Sequence, residues 1–190
     1  MEIIKKWLFI LAAVVFAGSL FADKILSFYV DWMWFESHGF TSVLWTVLAS
    51  QFGFGLLTAT LFFLLTFGFL NQVYRKTSHL PTLLSDQVRQ EVPVLNAMAS
   101  NLKLLILVAP LVLSVMTGLV MAQQWETLLQ YLNASPYGEV DPIYGKDISF
   151  YFFTLPLWLL VKSILWETMI VLSLGVGLIY FFKRFIYIGP

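Results

Sequence analysis

Cysteine is missing from this 190-residue chain, histidine occurs only twice, and charged residues make up 12%. Without cysteine there are no disulfides, no thiolate catalysis and no cysteine-based zinc site, and the redox compartment stays undetermined. The charged fraction is about half the roughly 25% of soluble chains. Net formal charge is zero with no basic stripe, which excludes a nucleic-acid binder. What fills the space is apolar: hydrophobic residues reach 59%, against roughly 45–50% in soluble proteins. Mean hydropathy is +0.83. A soluble domain of this size cannot hide that much apolar surface, so a soluble enzyme and a disordered chain are both excluded. The solvent is lipid.

A spanning helix needs about 20 mostly apolar residues, because a hydrocarbon core of roughly 30 Å is crossed at about 1.5 Å per residue. Four stretches qualify, at about 5–30, 44–70, 102–125 and 155–182. The first lengthens if Lys5 and Lys6 snorkel, and the last is interrupted by Lys162 and Glu167. No alternating strand-length segments occur, so the expected fold is all-α: one polytopic domain of four transmembrane helices over 1–190.

Loop charges orient the spans. Lys/Arg counts from the amino end through three loops to the tail run 2, 1, 4, 1, 2. Both termini and the second loop are therefore expected in the cytoplasm, with acidic loops one (Asp23–Ser42) and three (Gln123–Thr154) outward. Trp32, Trp34, Trp45, Trp125 and Trp158 fall at the expected outer boundary and Trp7 at the inner one, as an interfacial belt requires. The first stretch also fits a signal peptide, but Val15 and Leu20 occupy the candidate −3 positions, and an uncleaved anchor is favoured.

Between the spans, loop two reads as an amphipathic segment. It starts near Ser78 and Pro81, carries Leu80, Leu83, Leu84 and Val88 on one face, and ends at Pro93. Loop three is punctuated by Pro136, Gly138, Pro142 and Gly145, so turns are expected at Ser135–Gly138 and Asp141–Gly145. Asp141 suits an Asx turn, and Asp147 suits a cap on the helix that follows.

Two outward stretches also carry a resemblance. Asp31-Trp-Met-Trp-Phe-Glu-Ser-His-Gly-Phe-Thr-Ser-Val-Leu-Trp-Thr46 and Asp141-Pro-Ile-Tyr-Gly-Lys-Asp-Ile-Ser-Phe-Tyr-Phe-Phe-Thr-Leu-Pro156 resemble the uncharacterised protein family 0182 (UPF0182) of multi-pass bacterial membrane proteins, as do Gln124-Trp-Glu-Thr and Asn133-Ala-Ser-Pro-Tyr-Gly. The resemblance covers essentially the whole chain. His38 departs from it, standing where the family tends to carry an apolar residue. Family members are several-fold longer, which implies that these residues form an amino-terminal portion. The resemblance implies a location and a topology, and no catalytic residue or cofactor.

Chemistry is sparse. Gly53-Phe-Gly55 and Gly175-Val-Gly177 lie in apolar spans without a phosphate-binding lysine, so helix packing accounts for them. Ala13/Ala17 and Gly18/Ala22, at four-spacing, read the same way. His38 and His79 fall on opposite sides of the membrane and cannot share a site. The outward loop motifs are Asp31, Trp32, Trp34 and Glu36 in loop one and Asp141, Pro142, Gly145 and Asp147 in loop three. Their carboxylates could converge on a hard cation such as calcium, but turns and caps explain them more cheaply, and no metal is expected.

Glu167 is the sharp feature. It sits about 6–13 Å below the outer boundary, where an ionisable group costs about 2.5–3.5 kcal/mol on insertion scales. The same depth arithmetic puts Gln51 at about 10 Å and Thr117 at about 12 Å. Glu167 is thus expected to face the bundle interior and bond Gln51, with Thr117 nearby, while Lys162 snorkels or lies over Trp166. The leading expectation is a structural or assembly component of the envelope in the plasma (inner) membrane. Its partners would be the bilayer, the downstream part of its own chain, and other membrane proteins or further copies. Transport through Glu167 is the alternative, and an enzyme ranks third for want of a catalytic constellation.

Overall fold

A computed structural model of the chain describes residues 2–78 and 93–184. The elements are α1 (Glu2–Ser37), α2 (Thr41–Lys76), α3 (Pro93–Ser100), α4 (Leu102–Ala122), α5 (Trp125–Leu132), a π-helical turn (Phe150–Thr154) and α6 (Leu155–Arg184). No extended strand occurs among the described residues, and the fold is all-helical. Thr41–Lys76, Leu102–Ala122 and Phe150–Lys183 are each long and apolar enough to cross a bilayer. The stretch 5–30 lies in α1, where most side chains before Lys24 fall outside the described residues, as do residues 79–92 of loop two, including His79, and the tail after Arg184. Pro93 opens α3, since its missing N–H is no loss at a first helical position, and the amphipathic segment it is expected to end lies outside the described residues.

The chain divides into two compact units, Met1–Ala49 and Ser50–Pro190. In the first, loop one is much shorter than expected. Asp31, Trp32, Trp34 and Glu36 lie inside α1, because nothing from Ser19 to His38 breaks a helix: there is no proline and no glycine, and charged side chains do not interrupt the backbone ladder. At 36 residues, α1 is about 54 Å long, well beyond a hydrocarbon core of roughly 30 Å. It stops at Gly39, whose φ of +73° is open to glycine at little cost. Phe40 N–H then bonds the Phe35 carbonyl at 2.8 Å and Gly39 N–H bonds Glu36 at 3.2 Å, the pair of bonds that closes a Schellman cap. Across this corner Trp32 and Trp45 meet edge to face, their centroids 5.6 Å apart.

In the second unit, α2 and α4 run antiparallel and touch through small residues. A Cβ added at Gly118 would lie 2.7 Å from Ala59 Cβ and 2.8 Å from the Gly55 carbonyl; one added at Gly55 would meet the Gly118 carbonyl and Ala122. Two four-spaced pairs, Gly55/Ala59 and Gly118/Ala122, thus let the backbones approach, which is how spanning helices associate without a hydrophobic driving force. Gly53 and Gly177 meet nothing, so each glycine pair read as packing contributes one member. Gly175 of α6 accepts the Leu70 side chain of α2. Below that contact Leu70, Leu102, Ile106, Ile179 and Phe182 form the core.

The entry to α6 is irregular for a local reason. Pro156 has no N–H to return to Phe152, and the ladder widens just before it, with Leu155 N–H reaching back five residues to Phe150.

Candidate functional site

Two places concentrate polar chemistry. The first lies between α4 and α6. Thr117 is buried, at 3% exposure, and its Oγ1 donates to Glu167 Oε1 at 2.7 Å while also lying 3.0 Å from the Leu113 carbonyl. Among the described residues this side-chain hydrogen bond alone joins two span-length helices. The other buried hydroxyls among the described residues turn back on their own helices: Thr58 to Phe54, Thr66 to Phe62, Thr77 to Val73, Ser114 to Leu111 and Thr168 to Ile164. Such back-bonding satisfies a hydroxyl locally and builds nothing between helices. No buried side-chain nitrogen or oxygen among the described residues lacks a partner.

Gln51 does not join this pair. It is half-buried on α2 and makes no side-chain hydrogen bond among the described residues. Leu70 packs on Gly175, and Tyr74 lies under Lys183 at 5.6 Å, so α2 and α6 run parallel. That register puts Glu167 level with about Phe62, roughly 16 Å along α2 from Gln51. Depth counted from each span's own edge assumes a common starting plane, and these helices are staggered. Lys162 is exposed and makes no ring contact with Trp166, which is itself 59% exposed on the outer face of α6.

The second place is the segment between α5 and α6. Asp141 Oδ1 accepts Ile143 N–H at 3.2 Å, and its Oδ2 accepts Tyr144 N–H at 2.9 Å and the Tyr151 hydroxyl at 2.8 Å. Asp147 Oδ1 takes Ser149 N–H at 2.7 Å and Tyr137 N–H at 3.1 Å; Oδ2 takes Gly138 N–H at 3.0 Å. Both turns end on glycines at positive φ, Gly138 at +89° and Gly145 at +62°. Pro142 stands within the second turn, and an isolated antiparallel bridge pairs Val140 with Asp147. Lys146 Nζ lies 5.8 Å above the Phe150 ring. The result is a small hairpin folded around two carboxylates.

Those bonds hold both carboxyls below the usual range. For Asp141 the Tyr151 hydroxyl is the main cause, followed by Tyr144 N–H. For Asp147 it is the hydroxyl and N–H of Ser149, then the N–H groups of Gly138 and Tyr137. Oxygens so occupied serve the turn and the cap. No cluster of three or more metal-ligating side chains occurs among the described residues. Tyr151 had no short-range signal in the sequence, standing ten residues from Asp141. The four-spaced Gly118/Ala122 and Gly55/Ala59 did have one, in the small-residue spacing of two separate spans.

An all-helical chain with three apolar helices of membrane-crossing length, tied together through glycines and one interior hydrogen bond, defines a helical membrane-type protein. Residues 8–188 match the model of the uncharacterised protein family UPF0182, and the chain belongs to that family. It is 36% identical over 182 residues to a UPF0182 protein of Geobacter sulfurreducens, covering 94% of this chain and 20% of the relative. A UPF0182 protein of Geotalea uraniireducens is 34% identical over 178 residues, with 92% and 20% covered. One of Moorella thermoacetica is 32% identical over 186 residues, with 95% and 20% covered. The chain thus spans about a fifth of the length of these curated relatives. No solved structure matches it.

Proposed function

We propose that this chain is the membrane anchor of a longer envelope protein in the plasma (inner) membrane. In this reading it crosses the bilayer four times with both ends cytoplasmic, and serves a structural or assembly role. The observation that carries it is the use made of the buried polar groups: among the described residues five buried hydroxyls bond back to carbonyls of their own helices, and the sixth, Thr117, clamps α4 to α6 through Glu167. Polar groups spent on internal satisfaction suit a bundle that holds position rather than one that passes solute. The charge alternation supports the orientation, and the folded hairpin on the side assigned outward supports an assembly surface there.

The test combines topology and assembly. Reporters inserted at Ser135 are expected to read outward and at Ser78 inward, and a Glu167→Gln variant is expected to accumulate in the membrane at near wild-type level. Inward reporters at Ser135 would refute the orientation.

A second reading, an ion or proton pathway through Glu167, is favoured by the half-buried position of that carboxyl between two spans. It requires water to reach Glu167 and Glu167→Gln to abolish flux in proteoliposomes. A Glu167→Gln variant with unchanged flux would end it.

A further inference from the structure

The hairpin engages the Asp141 and Asp147 carboxylates in its own turns and leaves its apolar side chains outward. Ile143 is 80% exposed and Tyr144 75%, the two most exposed large hydrophobic side chains in the segment, with Tyr137 and Val140 beside them. The turn that carries them is held by its own hydrogen bonds. It is closed by Gly145 N–H on the Asp141 carbonyl at 2.9 Å and by the two N–H groups on the Asp141 carboxylate.

The Tyr151–Asp141 bond sets the height of the turn. Tyr151 is the second residue of the apolar stretch Phe150–Lys183, so the carboxylate that holds Ile143 and Tyr144 is pinned at the level where that stretch begins. A tip projecting into water would need no such tie. At the same end of α6, Phe152 and Trp158 are exposed as well. Side chains with an apolar body and a polar edge concentrate where hydrocarbon gives way to headgroups. The tip residues Pro142–Tyr144 carry no charge, the Asp141 carboxylate beside them is covered by three donors, and Lys146 lies back over Phe150.

We propose that the Pro142–Tyr144 turn is a membrane contact, seating Ile143 and Tyr144 in the headgroup layer of the bilayer that surrounds Phe150–Thr154. The ligand is a zwitterionic phospholipid surface. The neighbouring carboxylates Glu126 and Glu139 against the single cation Lys146 give no attraction for anionic lipid. The inference rests on the spanning reading above and adds a lateral tether to it, so the outward hairpin is held flat beside α6 rather than standing off.

The absence of cysteine makes the test direct. Single cysteines replace Ile143, Tyr144, Ser135 and Val115 in the 190-residue chain. Each carries an environment-sensitive fluorophore in phosphatidylcholine vesicles. The quenchers are aqueous iodide, a lipid spin label near the headgroup and a lipid spin label near the methyl end. Probes at 143 and 144 are expected to be quenched several-fold more by the shallow spin label than by iodide. Iodide is expected to dominate at Ser135 and the deep label at Val115. Adding Tyr151→Phe, which removes the tie without touching the tip, is expected to raise iodide access at 143 while leaving Val115 unchanged. Iodide quenching at 143 equal to that at 135, with Val115 still deep, overturns the tether and leaves the spanning reading intact. Protection of 143 from all three quenchers, which would mean cover by protein, overturns it too. Iodide reaching Val115 overturns the spanning reading itself, and the tether with it.

Discussion

Thr117 Oγ1 and Glu167 Oε1 face each other at 2.7 Å across the α4–α6 seam, fifty residues apart in the chain. The hydroxyl also has its own-helix carbonyl, Leu113, at 3.0 Å. The carboxyl has no comparable local alternative, so the pair is unequal. Removing the hydroxyl strands an acid in an apolar seam, whereas removing the acid leaves a threonine that back-bonds like its neighbours.

That asymmetry predicts an order of effects. Thr117→Val is expected to destabilise the bundle by about 1–2 kcal/mol, since interhelical hydrogen bonds in bilayers average about 0.6 kcal/mol and reach about 1.7 kcal/mol, with the unpaired carboxyl adding to the loss. Thr117→Ser should restore most of it. Glu167→Leu should cost less than Thr117→Val, because it removes a polar group instead of orphaning one. Reversible unfolding in mixed micelles measures all three, and a Glu167→Leu variant less stable than Thr117→Val would contradict the account.

The α2–α4 crossing makes a steric prediction. At Gly118 the nearest atoms to an added methyl are Ala59 Cβ and a backbone carbonyl, neither of which can swing away. Gly118→Ala is therefore expected to cost about 1–3 kcal/mol through overpacking. Gly53→Ala, two residues before Gly55 and in open space on the opposite side of α2, should be neutral or slightly stabilising, because alanine is the better helix former by about 1 kcal/mol. The same unfolding assay separates them. Equal effects at the two glycines would show that the helices do not cross where described.

How much of this was legible beforehand differs by scale. Helix type and the stretches 44–70, 102–125 and 155–182 follow from apolar runs too long for anything else, and each falls within or closely overlaps an apolar helix of spanning length. The end of α1 does not follow, because Asp31 and Glu36 carry the charge of a loop while the helix runs through them and ends only before Gly39. Thr117 could be placed beside Glu167 because α4 and α6 are antiparallel neighbours whose depths count from the same side. Gln51 could not, since the stagger of α2 against α6 is set by Leu70 seating on Gly175, a contact no local pattern announces. In the hairpin, the Asx turn at Asp141 and the cap at Asp147 lie within three residues of their donors and are readable. The Tyr151 hydroxyl is a tertiary partner and is not.

The two hairpin carboxylates make the fold of this segment depend on acid, and the sign follows from their lowered pKa. A group lowered in the folded state binds fewer protons there than when unfolded, so its contribution is complete above the ordinary aspartate value of about 3.9 and is lost as pH falls below it toward the folded-state value. The hairpin is therefore expected to be unchanged from neutral pH down to about 5 and to loosen below about 4. Hydrogen exchange at the amides of Tyr137, Gly138 and Ser149 reads this directly, because all three donate to Asp147. Exchange corrected for its intrinsic pH dependence should rise several-fold in acid, and the Asp147→Ala variant should show that raised level already at pH 7 with no further acid step at these amides. The amide of Gly145, which donates to the backbone carbonyl of Asp141, has no carboxylate partner and should respond less. A uniform acid response that includes Gly145 would mean that the whole segment unfolds as one unit, with the carboxylates bystanders to it.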